Sequence, residues 1–479
     1  MTTQQFDPAR PDSAPAPPCR VPLPARGPTG PDGTVRIYGP AYESDPTGVF
    51  EQLRADHGAV APVLVTGDLP GWLVLGYREC LEVLRTPTRF SHDSRHWNQL
   101  REGKVPADSP LLPVLGWQPD RMTADGAEHR RLRDAVTESM DRFDRRGVRR
   151  HVTRFSHRLI DDFCAAGHAE LLGQFSQHLP MMVLTQLLGM PEAYGPRLVH
   201  AATELVKASD QTIAANIYIK DQLRRLLERK HSAPGDDLAS WLIEHPAGLR
   251  DEEILNLLWL VLVAANENTT SLLAGALRMV LTDPRFRATL AGGQMTLSDG
   301  VEQVLWDDPP TIVIPARWAT SDTEVAGRAI RTGDMLLLGV AAGNIDPAIR
   351  PDINAPMYGN RAHLSFSGGP HECPGREVAR AIADTAIDTL LLRLPDLRLA
   401  VDESELRWRA TTWTRHLAAL PVRFTPGPPV GEEQPEPVVP ERRPLPDPAP
   451  EPPAEPAAPG GATAEHSWWR GLLGWFRGD

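Results

Sequence analysis

Cys373 lies in a segment whose composition favours a reactive sulfur. It follows Ser-Gly-Gly-Pro-His-Glu and precedes Pro-Gly-Arg, and a helix is predicted over Glu377–Leu394. The two glycines permit a tight bulge that brings backbone amides towards the sulfur. The positive end of a helix dipole favours thiolate over thiol. The segment therefore predicts a stabilised thiolate, with a buried cysteine beside a glycine-rich turn as the alternative.

A second set of chemical groups interrupts a long apolar helix. The predicted helix Asp251–Leu281 would be about 45 Å long. Its first half, Ile254–Ala265, is apolar on nearly every face, but its centre reads Asn266-Glu267-Asn268-Thr269-Thr270. Polar groups cost free energy in a core unless protein, water or ligand satisfies them. We therefore expect this helix to cross the core with a functional site at its centre.

Helical periods also dominate the rest of the chain between its two ends. Short β-rich runs occur at Gly71–Gly76 and Glu324–Leu338. The predicted fold class is mainly α with minor β, in a single domain. The other predicted helices are Tyr77–Arg85, Glu128–Ser139, Gly147–Cys164, Leu184–Leu188 and Asp221–Arg229.

The ends of the chain differ from its centre in composition. Nearly half of the 48 prolines lie in residues 1–31 and 426–459, which are polar and almost free of aromatic residues. Such a composition is typical of disorder. We predict a disordered Pro-rich tail over 1–34, one domain over 35–425 and an acidic Pro-rich linker over 426–466.

Charge and cysteine usage exclude several classes of protein. The net charge of the 479 residues is −12, which gives no general attraction for nucleic acid. The N-terminus lacks the basic and apolar regions of a secretory signal, so we expect a cytoplasmic protein. The four cysteines, at 19, 80, 164 and 373, are too widely spaced for a disulfide framework or a Cys-only zinc site.

The pattern Phe366, Gly369, Cys373 and Gly375 resembles the haem-binding loop of the cytochromes P-450. The resemblance implies haem b with Cys373 as the axial thiolate, which donates electron density that favours O–O cleavage.

The resemblance extends to residues that bind the haem propionates in this family. His129 and Arg133 match a pair four residues apart on one helix, where both can reach one anionic edge. Arg317 and His371 match two further propionate ligands. Any one of these alone is more often a solvated or core-satisfied side chain.

Two motifs depart from the family pattern. The family's Glu-x-x-Arg ion pair falls on Gly300–Pro310, where Gln303 takes the Glu position and Trp306 the Arg position. A shift of one residue pairs Glu302 with Leu305 and also fails. The segment resembles an actinomycete subgroup that lacks this motif, and the double change predicts repacking, since replacing both partners of a buried pair can be nearly neutral.

The second departure is in the family's oxygen-activation segment, which we align on Thr269-Thr270. Thr269 then takes the place of the family's threonine that helps to hold dioxygen and its proton-delivering water, Asn268 replaces the acid and Asn266 replaces a glycine. Glu267 lies about 100° round the helix and substitutes only if the helix is distorted. The alternative for Thr269 is a hydroxyl bonded to its own i−4 carbonyl.

The resemblance implies a monooxygenase that inserts one oxygen atom from O₂ into a small organic substrate. Electrons would come from a ferredoxin and its reductase, for which the arginines of Arg142–Arg158 offer a docking face; an ordinary solvated helix face is the alternative. The rival function is a catalytically weakened haem-binding regulatory or assembly subunit. A third possible function, an oxidoreductase that uses the haem for peroxide chemistry or dehydration, is supported by no motif of its own.

The last segment, 467–479, places Trp468, Leu472, Trp475 and Phe476 on one side of a helix. Such an aromatic amphipathic segment can bind a membrane surface or a protein groove. The alternative is that it packs back on the domain.

Overall fold

Helices that bury apolar stripes form most of the structure, as the sequence predicts. The computed structural model describes residues 27–107, 109–117, 124–206, 212–283 and 296–431. They belong to one compact unit, Met1–Glu432. Most of the N-terminal tail, nearly all of the linker and the whole aromatic segment 467–479 lie outside the described residues. The predicted boundaries at 34, 425 and 466 therefore stay predictions.

The helices of the described residues confirm each helix that the periodicity predicts, with ends that move by up to nine residues. Several short or less periodic helices were not predicted, among them Pro46–His57 and Gly195–Val206. The bounds are α1 Pro40–Ser44, α2 Pro46–His57, α3 Tyr77–Arg85, α4 Asn98–Arg101, α5 Leu112–Leu115, α6 Gly126–Asp141, α7 Arg145–Asp161, α8 Leu179–Leu188, α9 Gly195–Val206, α10 Thr212–Ser232, α11 Leu238–Ile243, α12 Asp251–Thr282, α13 Leu297–Asp307, α14 Val340–Asn344 and α15 Arg376–Arg393.

The strands form one larger sheet and three small ones. The larger sheet has the order β1-β2-β3-β9-β6-β4 and is mixed, and β2 and β3 form an antiparallel hairpin within it. The predicted β-rich runs lie in β3 and in β7–β9. The bounds are β1 Val35–Arg36, β2 Val60–Val65, β3 Leu69–Val74, β4 Phe90–Ser91, β5 His168–Glu170, β6 Ile314–Ala319, β7 Thr323–Val325, β8 Arg328–Ile330, β9 Met335–Leu338, β10 Arg398–Leu399, β11 Trp408–Ala410, β12 Arg415–Leu417 and β13 Pro421–Arg423.

Helix α12 crosses the core as predicted. It packs against α8, α10, α13 and α15. It begins where the Glu253 side chain accepts the Arg250 amide at 2.7 Å, and it ends before Asp283-Pro284. Leu258, Leu262 and Leu273 are fully buried. The fold class, mainly α with minor β, is confirmed.

Candidate active site

The loop that carries Cys373 is held by contacts on both sides of the sulfur. The Cys373 amide donates to the Phe366 carbonyl at 2.8 Å, which closes the loop between them. Gly369 adopts a φ of 66°, and a Cβ atom there would lie 2.4 Å from the Leu84 carbonyl oxygen. A glycine is therefore required for the loop to pack against the end of α3. Gly375 is the N-cap of α15.

Cys373 differs from the other described cysteines in its surroundings. It is partly exposed, whereas Cys80 and Cys164 are buried. Burial has the largest effect on the Cys373 thiol and raises its pKa, while the Gly375 amide and then Arg133 act in the opposite direction. The helix terminus alone therefore does not secure a thiolate. The amide and the guanidinium favour the deprotonation that metal binding requires.

Four predicted basic residues converge beside this loop. His129 and Arg133 lie on α6, Arg317 lies on β6, and His371 lies in the loop itself. The ring centroids of His129 and His371 are 3.7 Å apart, and Arg133 donates to the Glu372 carbonyl. Arg317 is 2% exposed, and burial lowers its pKa to about 9. The fold thus brings together all four of these residues.

The structure adds His92, which the sequence analysis missed. Its ring centroid lies 3.7 Å from that of His371. It belongs to none of the motifs used above, since it follows β4 with no distinguishing spacing. Beside the Cys373 loop, the buried nitrogens without a hydrogen-bond partner include His92 Nε2, His129 Nε2 and Arg133 Nη1. Each unpaired buried polar atom costs about 1–3 kcal/mol. These nitrogens fit a buried anionic ligand, such as the carboxylates of haem.

The centre of α12 presents different residues to different sides. The helix is regular α-helix from Asp251 to Thr282. Ala264 is exposed and Asn268 is half-buried, whereas Thr269 is only 3% exposed. Residues 264 and 268 share one face of the helix, and residue 269 lies about 100° away from residue 268. The regular helix thus directs Thr269 into the packed interior and Asn268 to the open side.

Two contacts join this open side to the segments that follow α13. The Thr311 hydroxyl donates to Asn268 Oδ1 at 2.9 Å, and Asn268 Nδ2 donates to the Ala264 carbonyl at 2.8 Å. Glu267 Oε1 lies 4.0 Å from His416 Nδ1 on β12. Burial raises the pKa of Glu267 and lowers that of His416. Neither Thr311 nor His416 has a sequence signal of its own.

The segment that lacks Glu-x-x-Arg contains a buried carboxylate one residue before the expected position. Glu302 is 1% exposed and accepts from Arg380 Nε at 2.6 Å and His363 Nε2 at 2.9 Å. Gln303, assigned to the Glu position by the sequence, instead accepts the Met357 amide. Trp306 donates to the Asn360 carbonyl at 2.7 Å. The alignment that puts Gln303 at the Glu position therefore does not match the packing, in which the buried carboxylate is that of Glu302.

Comparison with known proteins decides the family. No family profile matches the chain. The vitamin D(3) 25-hydroxylase of Pseudonocardia autotrophica is 30% identical over 403 residues, which cover 81% of this chain and 96% of that protein. The cytochrome P-450 CYP107DY1 of Priestia megaterium is 29% identical over 371 residues, covering 74% and 90%. The solved structure of CYP154C4 from Streptomyces sp. W2061 has a TM-score of 0.74 at 28% identity, covering 83% and 99%. The chain belongs to the cytochrome P-450 family.

This cytochrome P-450 is a haem-thiolate monooxygenase, as its hydroxylase and epoxidase relatives show. It binds haem b through a cysteine thiolate and uses O₂, a small organic substrate and electrons from a redox partner. The predicted family, enzyme class and cofactor are confirmed. No comparison favours the regulatory or assembly subunit.

The location of this cytochrome P-450 follows that of its bacterial relatives, which are generally cytoplasmic, as the sequence predicts. Among the described residues, α12 is the one helix long and apolar enough to cross a membrane, but half of its most apolar window is buried in the domain. It is a core helix here.

Proposed function

We propose that Cys373 is the axial ligand of the haem iron and that His129, Arg133, Arg317 and His371 bind the propionates. The observation that carries this proposal is the convergence of buried, unpartnered nitrogens on the Cys373 loop. A thiolate-ligated haem supplies the activation of O₂, with electron donation from sulfur that favours O–O cleavage. Phe366, Gly369 and Gly375 shape the loop that presents the sulfur.

The protein groups that handle protons are Glu267 and Asn268, on the open side of α12. One oxygen atom of O₂ enters the substrate and the other leaves as water, so two protons must be delivered. Burial raises the pKa of Glu267, which favours the protonated form that can donate a proton. Asn268, oriented by Thr311, can hold a water molecule but cannot donate a proton to the reaction. Thr269, predicted for this role, is buried on another side of the helix.

Electrons arrive from a ferredoxin at the first turns of α7. Arg145 is 80% exposed and lies 3.8 Å from Glu377, in the first turn of α15 and four residues after Cys373. Arg146 and Arg149 are also exposed. Arg154 and Arg158, later on the same helix, are less available to a partner because both already pair with Glu192. The predicted docking face therefore narrows to the arginines beside the Cys373 loop, which suit an acidic partner.

The aromatic segment 467–479 binds a membrane surface. Its support is the sequence alone, because it lies outside the described residues. Tryptophans with leucine and phenylalanine on one side, and arginines at 470 and 477, suit a headgroup interface. A matching protein groove would bind the same side chains.

The Cys373→Ala variant tests the axial ligand. The reduced wild-type protein with CO should show the red-shifted Soret band of thiolate ligation, and Cys373→Ala should lose it. Cys164→Ala, which removes another buried sulfur, is the control and should keep the band. An unchanged spectrum for Cys373→Ala would contradict the assignment.

Proton delivery is tested with a substrate that the wild-type enzyme oxidises. Glu267→Gln should form product about 100-fold more slowly, because general acid catalysis contributes at least that factor. Asn268→Ala should divert electrons to peroxide, measured as peroxide released per NAD(P)H consumed. Thr269→Val, its neighbour, should retain most of the wild-type coupling; if it is the most damaging of the three, Thr269 is the catalytic residue.

Charge reversal tests the docking face. Arg145→Glu/Arg149→Glu should raise the KM for ferredoxin about tenfold, equivalent to about 1.4 kcal/mol of lost attraction, and flatten its dependence on salt. Arg154→Glu/Arg158→Glu, on the same helix, is the matched control. Equal effects of both pairs would place the partner elsewhere.

Deletion of 467–479 tests the membrane contact by flotation with anionic vesicles. The full chain should float with the vesicles and the shortened chain should not, while haem content stays the same. Equal flotation of both chains would rule out the segment as a membrane anchor.

A further inference from the structure

Helix α13 buries a carboxylate that has no basic partner on its own helix. Glu302 is 1% exposed, and Leu305, three residues later on the same helix, is an equally buried apolar residue of the core. An ionised carboxylate at such a place is strongly destabilising unless it is paired. The partners must therefore come from other elements.

Two of these elements flank the Cys373 loop in the sequence. Arg380, on α15, makes a two-pronged contact with Glu302, through Nε at 2.6 Å and Nη2 at 3.0 Å. His363, ten residues before the cysteine, donates to the same carboxylate at 2.9 Å. Arg361 adds a more distant charge at 3.7 Å. Burial acts to raise the pKa of Glu302, but the bonds from His363 and Arg380 outweigh it and lower the pKa.

The same side chains enclose the residue that holds the Cys373 amide. The Arg380 guanidinium lies 4.8 Å from the ring centroid of Phe366, and the His363 ring lies 5.6 Å from it. The Phe366 carbonyl accepts the Cys373 amide. A path of direct contacts therefore runs from Glu302 through Arg380 and His363 to Phe366, and from Phe366 to Cys373.

Backbone contacts of α13 hold the beginning of the same loop. Asn344 Nδ2 donates to the Leu305 carbonyl at 2.9 Å, and Asn344 Oδ1 accepts the Leu364 amide at 2.8 Å. The Ser365 hydroxyl also donates to the Leu305 carbonyl. Helix α13 thus fixes the loop at its start through the backbone, and fixes both flanks of it through Glu302.

We propose that Glu302 is a positioning residue for the Cys373 thiolate, acting through Arg380 and His363 in place of an ion pair within one helix. The proposal rests on the haem-thiolate function, since it concerns the loop that carries the ligand. It implies that the loss of the Glu-x-x-Arg spacing is compensated by cations from outside the helix.

The test uses haem-loaded full-length protein and two readouts. One is the rate of haem transfer from the ferric protein to apomyoglobin, and the other is the fraction of the reduced CO complex with the red-shifted Soret band. Groups that orient a metal ligand typically change metal affinity 10–100-fold when removed, so Glu302→Gln should lose haem about 10–100-fold faster. It should also convert part of the CO complex to the unshifted form.

Double substitution separates coupling from general damage. Arg380→Met alone should act in the same direction as Glu302→Gln, because each removes the two-pronged contact between the buried guanidinium and carboxylate. Glu302→Gln/Arg380→Met should lose haem more slowly than the product of the two single effects predicts, because both single variants remove the same contact and it can be lost only once. His363→Gln keeps the ion pair between Glu302 and Arg380 and should have a smaller effect. It is the variant to measure if the first variants do not fold. Leu305→Arg should damage the protein further, since it places a charge at a buried position of the apolar core.

Glu253→Gln is the matched control, because Glu253 is equally buried and paired with Arg131 and Arg250, at the distant start of α12. It should lower the melting temperature and leave the Soret band unchanged. The proposal is overturned if Glu302→Gln keeps the wild-type band and haem loss, or if Glu253→Gln changes the band equally. A wild-type protein without the red-shifted band would overturn the haem-thiolate assignment of Cys373 itself, and the positioning role with it.

Discussion

The buried carboxylate of Glu302 ties together the elements on which the site depends. Charge inside a protein is tolerated where it is paired, and the partners of Glu302 come from α15 and from the segment before Cys373. Movement of either element away from α13 would remove one of the two close partners of this buried carboxylate. The position of the sulfur is therefore linked to the packing of three elements that are far apart in the sequence, with Arg380 seventy-eight residues after Glu302.

The basic cluster beside the sulfur differs from Glu302, because its buried positive groups are not matched by an equal number of acids. Burial, followed by the positive charges of His371 and Arg133, lowers the pKa of His129 to about 4, and burial lowers that of Arg317 to about 9. The guanidiniums of Arg133 and Arg317 both lie beside this cluster, whereas Asp125 is its one acid in contact with His371 among the described residues, so the cluster carries excess positive potential. Such a potential stabilises a buried dianion such as the two propionates. The desolvation of these basic groups is unfavourable, and an anionic group bound beside them would relieve it.

Local sequence patterns could predict the parts of this structure that depend on neighbours in the chain. The period of Asp251–Thr282 and the glycines before Cys373 act locally, so both were found. Glu302 was missed as an ion-pair member because its partner was sought three residues along the helix, and cross-element pairing leaves no such spacing. His92 was missed because only the fold brings β4 beside His371. The Thr-Thr pair predicts Thr269 from the local sequence, whereas the exposure of Ala264 and Asn268, which the fold decides, marks the open face of α12.

The two departures from the family pattern have different consequences for chemistry. At α13 the net interaction is kept, because a guanidinium still neutralises the buried carboxylate from another helix. At α12 the chemical group itself differs, because the carboxamide of Asn268 can orient water but has no proton to transfer at neutral pH. Under the proposed function, proton transfer then depends on Glu267, whose burial raises its pKa and whose carboxylate lies 4.0 Å from His416 Nδ1. The absence of the Glu-x-x-Arg spacing is therefore weak evidence for lost turnover. Under the proposed function, the departure that bears on proton delivery is the one at the centre of α12.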